Sequence, residues 1–299
     1  MTFRRILAGA AAAAIASVGL VACGNDSADT SADGTTTAAA STETVRIGTT
    51  DANLKEWDVF ADLVKEEGID IEIVPFSDYN TPNDALAQGQ IDVNKFQHLK
   101  FLASYNKGAG EDLVPYASTE IYPLALFWQG HDSLDGIEGE EVAIPNDATN
   151  QGRAINVLVQ AGLVTLREEG LLDPAPADID TDASKVKVIA VDAAQTTTVF
   201  HEGRPAVINN SFLERAGIDP LDSIFQDNPD NEQAEPYINI WATTPEKADD
   251  ETLNRLAEIW KDPAVTAAIM ESSGNTAVTV ERPREDLLEI MKRLEAGEQ

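Results

Sequence analysis

The chain has 299 residues, with 52 acidic and 21 basic side chains, a formal net charge of -31 and 43% hydrophobic content. That length accommodates two lobes of roughly 100–150 residues each. The acidic excess excludes nucleic acid and polybasic docking on anionic lipid, both of which reward basic surfaces, and a single cysteine, Cys23, excludes an internal disulfide framework.

The basic pair Arg4-Arg5 precedes an apolar run over 6–21 that is short for a membrane span and suits a signal peptide. The run closes on Leu20-Val21-Ala22-Cys23-Gly24. A small residue before a cysteine at this point resembles the bacterial lipobox. The resemblance implies removal of residues 1–22 and a lipid-modified Cys23 bearing palmitate. The stretch over 23–42, mostly Ala, Ser, Thr, Asp and Gly, lacks apolar periodicity and predicts a flexible tether, because it buries too little to offset its ordering entropy.

Val45-Arg46-Ile47-Gly48-Thr49 begins the globular part as a strand. Trp57, Phe60, Ala61 and Val64 follow at helical spacing, and Gly68 stops that helix. Residues 69–76 alternate as a second strand, 84–87 form a short helix ended by Gly89, and Ile91-Asp92-Val93 is a third strand. This β-α-β-α-β order predicts a parallel sheet with right-handed crossovers.

Residues 113–127 are rich in β-branched and aromatic side chains and pass through Pro115 and Pro123; they carry the chain into a second lobe. There, strands are expected over 141–144, 186–191 and Ala206-Val207-Ile208, with a helix after Arg153. Residues 227–235 hold Pro229 and four acids and predict an exposed loop. Tyr237-Ile238-Asn239-Ile240-Trp241 is a strand that returns to the first lobe. The stripes Leu253, Leu256, Ala257, Trp260 and Leu287, Ile290, Met291, Leu294 are packing faces of helices.

Motifs for catalysis are missing. The chain has no Gly-x-Ser-x-Gly elbow, no phosphate-binding Gly-Lys loop and no Gly-x-Gly-x-x-Gly fingerprint. Pro205 stands where a zinc-protease motif beginning at His201-Glu202 would need its second histidine. The expectation is a protein without catalytic residues, metal or cofactor.

What remains is a set of polar and aromatic residues at strand ends. The strand-to-helix junction Ile144-Pro145-Asn146-Asp147-Ala148-Thr149-Asn150-Gln151-Gly152-Arg153 offers free helix N–H groups, with Thr149 or Asn150 as cap, and the guanidinium fork of Arg153. That combination suits a carboxylate, and it reads as well as a capped helix with an arginine facing solvent. Phe76 and Tyr79 lie after the second strand, and Phe96 and His98 after the third. Tyr122 lies in the crossover, Asn146 and Asn150 in the junction, Asn209 beyond Ala206-Val207-Ile208, and Asn239 in the late strand. If both sheets point their C-terminal edges at one cleft, the rings make an apolar slot, Arg153 holds a carboxylate, and Asn209 and Asn239 offer oxygens to an ammonium group. The inventory fits an α-amino acid with an apolar side chain. Taken singly, Phe76 and Phe96 also read as core aromatics, His98 as a helix cap, Tyr122 as packing and Asn209 as a turn residue.

Phe96-Gln97-His98, the Ile144 to Arg153 junction, Val207-Ile208-Asn209 and Tyr237-Ile238-Asn239, with Asn80-Thr81-Pro82-Asn83 and Tyr122-Pro123, resemble in order the methionine-binding lipoproteins of the MetQ/NlpA family. The likeness runs from about Val45 to about Val280. It implies an α/β, two-lobed, periplasmic-binding-protein-like fold of type II, with 43–122 and 226–299 as lobe 1 and 123–225 as lobe 2. It further implies a monomeric substrate-binding lipoprotein, anchored on the extracytoplasmic side of the cell membrane, that binds L-methionine and delivers it to an ABC importer permease and its ATPase. By the same resemblance Arg153 binds the carboxylate, and Asn209 and Asn239 hold the polar end. Phe76, Tyr79, Phe96, His98 and Tyr122 line the side-chain slot, and Asn146 and Asn150 shape the cleft. Lys95 departs from the family pattern, where a small or polar residue is more familiar. D-methionine, a methionine-containing dipeptide or another apolar amino acid stays open as cargo. An enzyme or a surface adhesin is the rival from another class.

Overall fold

A computed structural model describes residues 44–297 of the chain, except the side chain of Glu232. Arg4-Arg5, the apolar run, Cys23 and the tether lie outside the described residues. The first lobe opens with β1 (Val45–Thr49), α1 (Lys55–Glu66), β2 (Ile71–Pro75), α2 (Pro82–Ala87), β3 (Val93–His98) and α3 (Leu99–Ala109), followed by β4 (Val114–Ser118) and β5 (Glu120–Ile121). The chain then crosses into β6 (Ala125–Phe127), β7 (Glu141–Pro145), α4 (Ala148–Gln160), β8 (Lys187–Val191), α5 (Thr196–His201), β9 (Ala206–Ile208) and β10 (Phe225–Gln226). It returns through β11 (Asn239–Thr243), α6 (Glu251–Trp260), α7 (Pro263–Ser272), β12 (Val278–Thr279) and α8 (Arg284–Ala296).

Two five-stranded sheets result, ordered β2-β1-β3-β11-β4 and β10-β6-β9-β7-β8. In the first, β1 runs parallel to β2 and β3, and the late strand β11 inserts antiparallel between β3 and β4. In the second, β7 runs parallel to β8 and β9, and the crossover strand β6 lies antiparallel to β9 and β10. Each sheet thus borrows one strand delivered by a crossover, the type II two-lobed pattern. A small pair, β5 with β12, completes the first lobe.

Alternation along β11 shows how the first lobe packs. Trp241 turns to one face, where α1, α6 and α7 pack, while Ile240 and Ala242 turn to the other, against α3 and α8. Trp57, Phe60, Trp241 and Trp260 form an aromatic cluster with ring centroids 4.7 to 6.1 Å apart. Each such ring fully buried contributes roughly 1.5–3 kcal/mol of transfer free energy. The expected helical stripes supply most of this core, and Gly68 and Gly89 close α1 and α2 at φ 72° and 68°, where a side chain would be strained.

Three expectations need correction. Phe96, Gln97 and His98 do not follow β3 but complete it, all three buried. The cap of α4 is Asp147, whose carboxylate accepts from the Asn150 N–H at 3.0 Å, so neither Thr149 nor Asn150 is the cap. Residues 227–235 are not simply an exposed loop: Asp227 is half-buried in an ion pair, and a 3-10 turn begins at Glu232 and ends at Tyr237.

Candidate functional site

The register of β11 on β3 builds one wall of the cleft. Asn239 pairs directly opposite His98, so the N-terminal end of the late strand sits beside the C-terminal end of β3. Below them, Asn83, Asn94 and Gln97 bond to one another at 2.7 to 2.9 Å, tying the start of α2, and with it the loop carrying Tyr79, to β3. The opposite wall comes from α4 and the turn after β9.

Eight of the ten expected site residues line this cleft: Tyr79, Phe96, His98, Tyr122, Asn150, Arg153, Asn209 and Asn239. Two do not. Phe76 packs in the first-lobe core, sharing with Ile91 the space that Gly48 leaves open; a Cβ on Gly48 would lie 2.5 Å from Ile91 Cδ1 and 3.0 Å from the Phe76 ring. Asn146 is solvent-exposed at the end of β7. The structure adds one ring without a sequence signal of its own, Phe101, with the buried Phe212 packed behind Tyr79. Tyr79 stacks at tilted or edge geometry with Phe96, Phe101 and Phe212, centroids 4.8 to 6.0 Å apart, and Phe96 meets Phe101 at 5.8 Å. Tyr79, Phe96 and Phe101 make a polarizable apolar slot, backed by Phe212. On its outer side, Arg215 covers Phe212 at 4.4 Å.

The polar end of the cleft is pre-set by hydrogen bonds. His98 Nδ1 accepts from the Phe101 N–H at 3.0 Å, which caps α3 and assigns the proton to Nε2. Burial, reinforced by the Arg153 cation, pushes the His98 pKa down to about 3, so the ring is neutral. Asp147 accepts from the Asn150 side-chain amide at 3.0 and 3.1 Å, and Asn150 Oδ1 accepts from Asn209 Nδ2 at 3.0 Å. The order of donors therefore leaves Asn209 Oδ1 as a free acceptor. Two buried side-chain atoms at the cleft have no hydrogen-bond partner, His98 Nε2 and Asn209 Oδ1, while the Tyr122 hydroxyl is buried near Glu120 behind the slot. Leaving such groups unpaired costs about 1–3 kcal/mol each, so their convergence marks a place made for a polar ligand.

Arg153, six residues into α4, projects between this cleft and a second hollow. Its Nε donates to Asp227 Oδ2 at 2.7 Å and its Nη2 to Asp227 Oδ1 at 3.2 Å and to the Tyr122 carbonyl at 2.9 Å. The Tyr237 ring lies 4.2 Å from the guanidinium carbon. Nη1 is the guanidinium nitrogen without a protein partner among the described residues. Gly152 allows this packing: a Cβ there would stand 3.2 Å from the Asp173 Cα, and Asp173 in turn pairs with Lys100 of α3. The second hollow, about 490 Å³, is larger than the cleft. Yet none of its lining side chains holds a buried unpartnered polar atom among the described residues, so the smaller cleft is the better candidate.

Behind the slot, Lys95 and Glu120 form a buried ion pair at 2.6 Å, both under 3% exposed. Lys95 Nζ also faces the Trp260 ring at 4.7 Å. This pairing accounts for the lysine beside Phe96. Among the described residues no cluster of metal-ligating side chains occurs, and no helix is long and apolar enough to cross a membrane.

The NlpA lipoprotein family model matches residues 45–280. The chain is 31% identical over 274 residues to the D-methionine-binding lipoprotein MetQ of Salmonella typhi, covering 90% of this chain and 95% of that one. It resembles the substrate-binding protein of a methionine transporter from Streptococcus pneumoniae (31% identity, TM-score 0.72, 79% of this chain and 95% of that one). It also resembles a nutrient-binding protein from Burkholderia cenocepacia bound to methionine (29% identity, TM-score 0.72, 79% of this chain and 99% of that one). These relatives are binding proteins rather than enzymes. The chain belongs to the NlpA lipoprotein family.

Proposed function

We propose that this protein is the solute-binding lipoprotein of an ABC importer and that its cargo is L-methionine. The observation that carries the reading is the cleft itself: an apolar slot of three rings beside Arg153 and the unpartnered His98 Nε2 and Asn209 Oδ1. In this reading Arg153 donates to the cargo carboxylate, Asn209 and Asn239 accept from its ammonium group, and the thioether lies among Tyr79, Phe96 and Phe101. The relatives' binding of methionine supports the choice of side chain. D-methionine is a second reading, favoured by the name of the Salmonella relative.

The proposal divides the body into residues 43–122 with 226–299 as one lobe and 123–225 as the other. Cargo bridging Arg153 of one lobe and Asn239 of the other would hold the lobes closed by a hinge motion about the two crossovers. Lipid on Cys23 and the tether over 24–42 would keep a monomer at the extracytoplasmic membrane face, within reach of the permease and its ATPase. Mass spectrometry with chiral chromatography on ligand released from the denatured protein tests the cargo. L-methionine is expected; an empty protein that also gives no calorimetric signal with either enantiomer overturns the reading.

A further inference from the structure

Behind the slot and at its polar end the cations pair with acids, whereas Arg215, on the outer side, donates to the Ser77 carbonyl and forms no ion pair among the described residues. Lys95 pairs with Glu120, Lys100 with Asp173 and Arg153 with Asp227. The last pair is the one that touches the cleft. Asp227 takes the Nε and Nη2 edge of Arg153 with both oxygens, and Oδ1 also accepts from the Leu124 N–H at 2.8 Å. The carboxylate is thus held at once by α4 and by both crossovers. It stands on the side of Arg153 away from the cleft, and only Arg153 of the pair lines the slot. His98, the other group at this end that can carry positive charge, is neutral.

We propose that Asp227 is a specificity-determining residue: by cancelling the charge of Arg153 from behind, it makes the cleft select a net-neutral amino acid over an anionic carboxylic acid of the same shape. The physical basis is desolvation. Arg153 still offers an N–H edge to a carboxylate, but the pair carries no net charge to offset one buried with it. A zwitterion brings its own compensating ammonium group to Asn209 and Asn239; a plain carboxylate brings none. This inference rests on the methionine reading of the cleft.

The test compares methionine with 4-(methylthio)butanoate, which is methionine without its amino group, by calorimetry on the full chain in detergent. In the wild type the anion is expected to bind at least 100-fold more weakly than methionine. In Asp227→Asn its affinity is expected to rise at least fivefold while that of methionine does not, and in Asp227→Glu the wild-type preference is expected to persist. Equal losses for both ligands in Asp227→Asn would assign Asp227 a structural role only and overturn the proposal. So would an anion that binds the wild type within tenfold of methionine, a comparison that stands even if the Asn variant does not fold. A wild type that binds neither ligand overturns the methionine reading itself.

Discussion

Asn209 donates its side-chain amide to Asn150 Oδ1 at 3.0 Å across 59 positions of sequence, and this bond decides which end of Asn209 faces the cleft. Asn150 cannot reverse, because its own amide is held by Asp147. Polarity therefore runs from the cap of α4 to the ligand. Asn150→Ala should free Asn209 to rotate and lower methionine affinity by about 10- to 100-fold, equivalent to about 1.4–2.8 kcal/mol. The backbone N–H of residue 150 keeps its cap bond to Asp147, but the Asp147 carboxylate and the Asn209 amide lose buried hydrogen bonds, so the melting temperature should also fall. Calorimetry and a thermal melt on the same sample read both; unchanged affinity would show that the chain of amides does not orient the site.

Phe101 completes the slot around Tyr79 and Phe96. Truncating Phe101 removes a wall facing the cargo side chain but leaves Arg153 and the asparagines in place. Phe101→Ala should weaken methionine by roughly 1–3 kcal/mol, the range for losing good apolar contact in a pocket, while alanine, too short to reach the ring, loses less. Competition between the two amino acids measures the change in preference. An equal loss for both would place Phe101 in the scaffold rather than the slot.

The strand and helix pattern is legible because its apolar periods are clean and glycines punctuate them: Gly68 and Gly89 sit at positive φ where expected. Helix α3 is not, since it starts at Leu99 directly after β3 with no turn residue between them, and its cap is the cleft residue His98. The junction's arginine was readable as a cleft residue from its type and place. Its tie to Asp227 was not, because the acid lies 74 residues away in a stretch whose composition suggests only solvent. Phe101 fails for the same reason: an isolated ring in a helix reads equally well as core. Phe76 shows the reverse error, a ring at a strand end that packs beneath the sheet because Gly48 leaves it room.

Lys95 and Glu120 join β3 to β5 in the interior of the first lobe. Burial opposes the Lys95 charge, but Glu120, Asp51 and Glu56 more than offset it, and its pKa moves up. Lys95→Met should strand the Glu120 carboxylate and destabilise the fold by about 3–5 kcal/mol, whereas adding Glu120→Leu should recover most of that loss. Denaturant titration of both single variants and the double variant closes the cycle. Additive losses would mean that the two groups do not act as a pair.

Glu56 lies in the first turn of α1, fully buried, with Oε2 accepting from Ser272 Oγ at 3.0 Å and Oε1 without a partner. Burial, with the nearby Asp51 carboxylate, pushes its pKa from 4.5 up to about 7. Below pH 4.5 the group is protonated in folded and unfolded chains alike and costs nothing. Between 4.5 and 7 the unfolded chain releases the proton while the folded one keeps it, so stability falls as pH rises, by about 3 kcal/mol in total. Above 7 the deficit stays constant. Glu56→Gln, always neutral, should therefore track the wild type near pH 4.5 and exceed its stability by up to about 3 kcal/mol at pH 8. His98 pulls the other way, favouring the folded state above pH 6.5 and losing that advantage as pH falls toward 3. Its contribution is shared by both proteins and cancels in their difference. Urea titrations of wild type and variant at pH 4.5, 6 and 8 supply that difference; a gap that does not widen with pH would mean that Glu56 ionises as freely inside the lobe as in water.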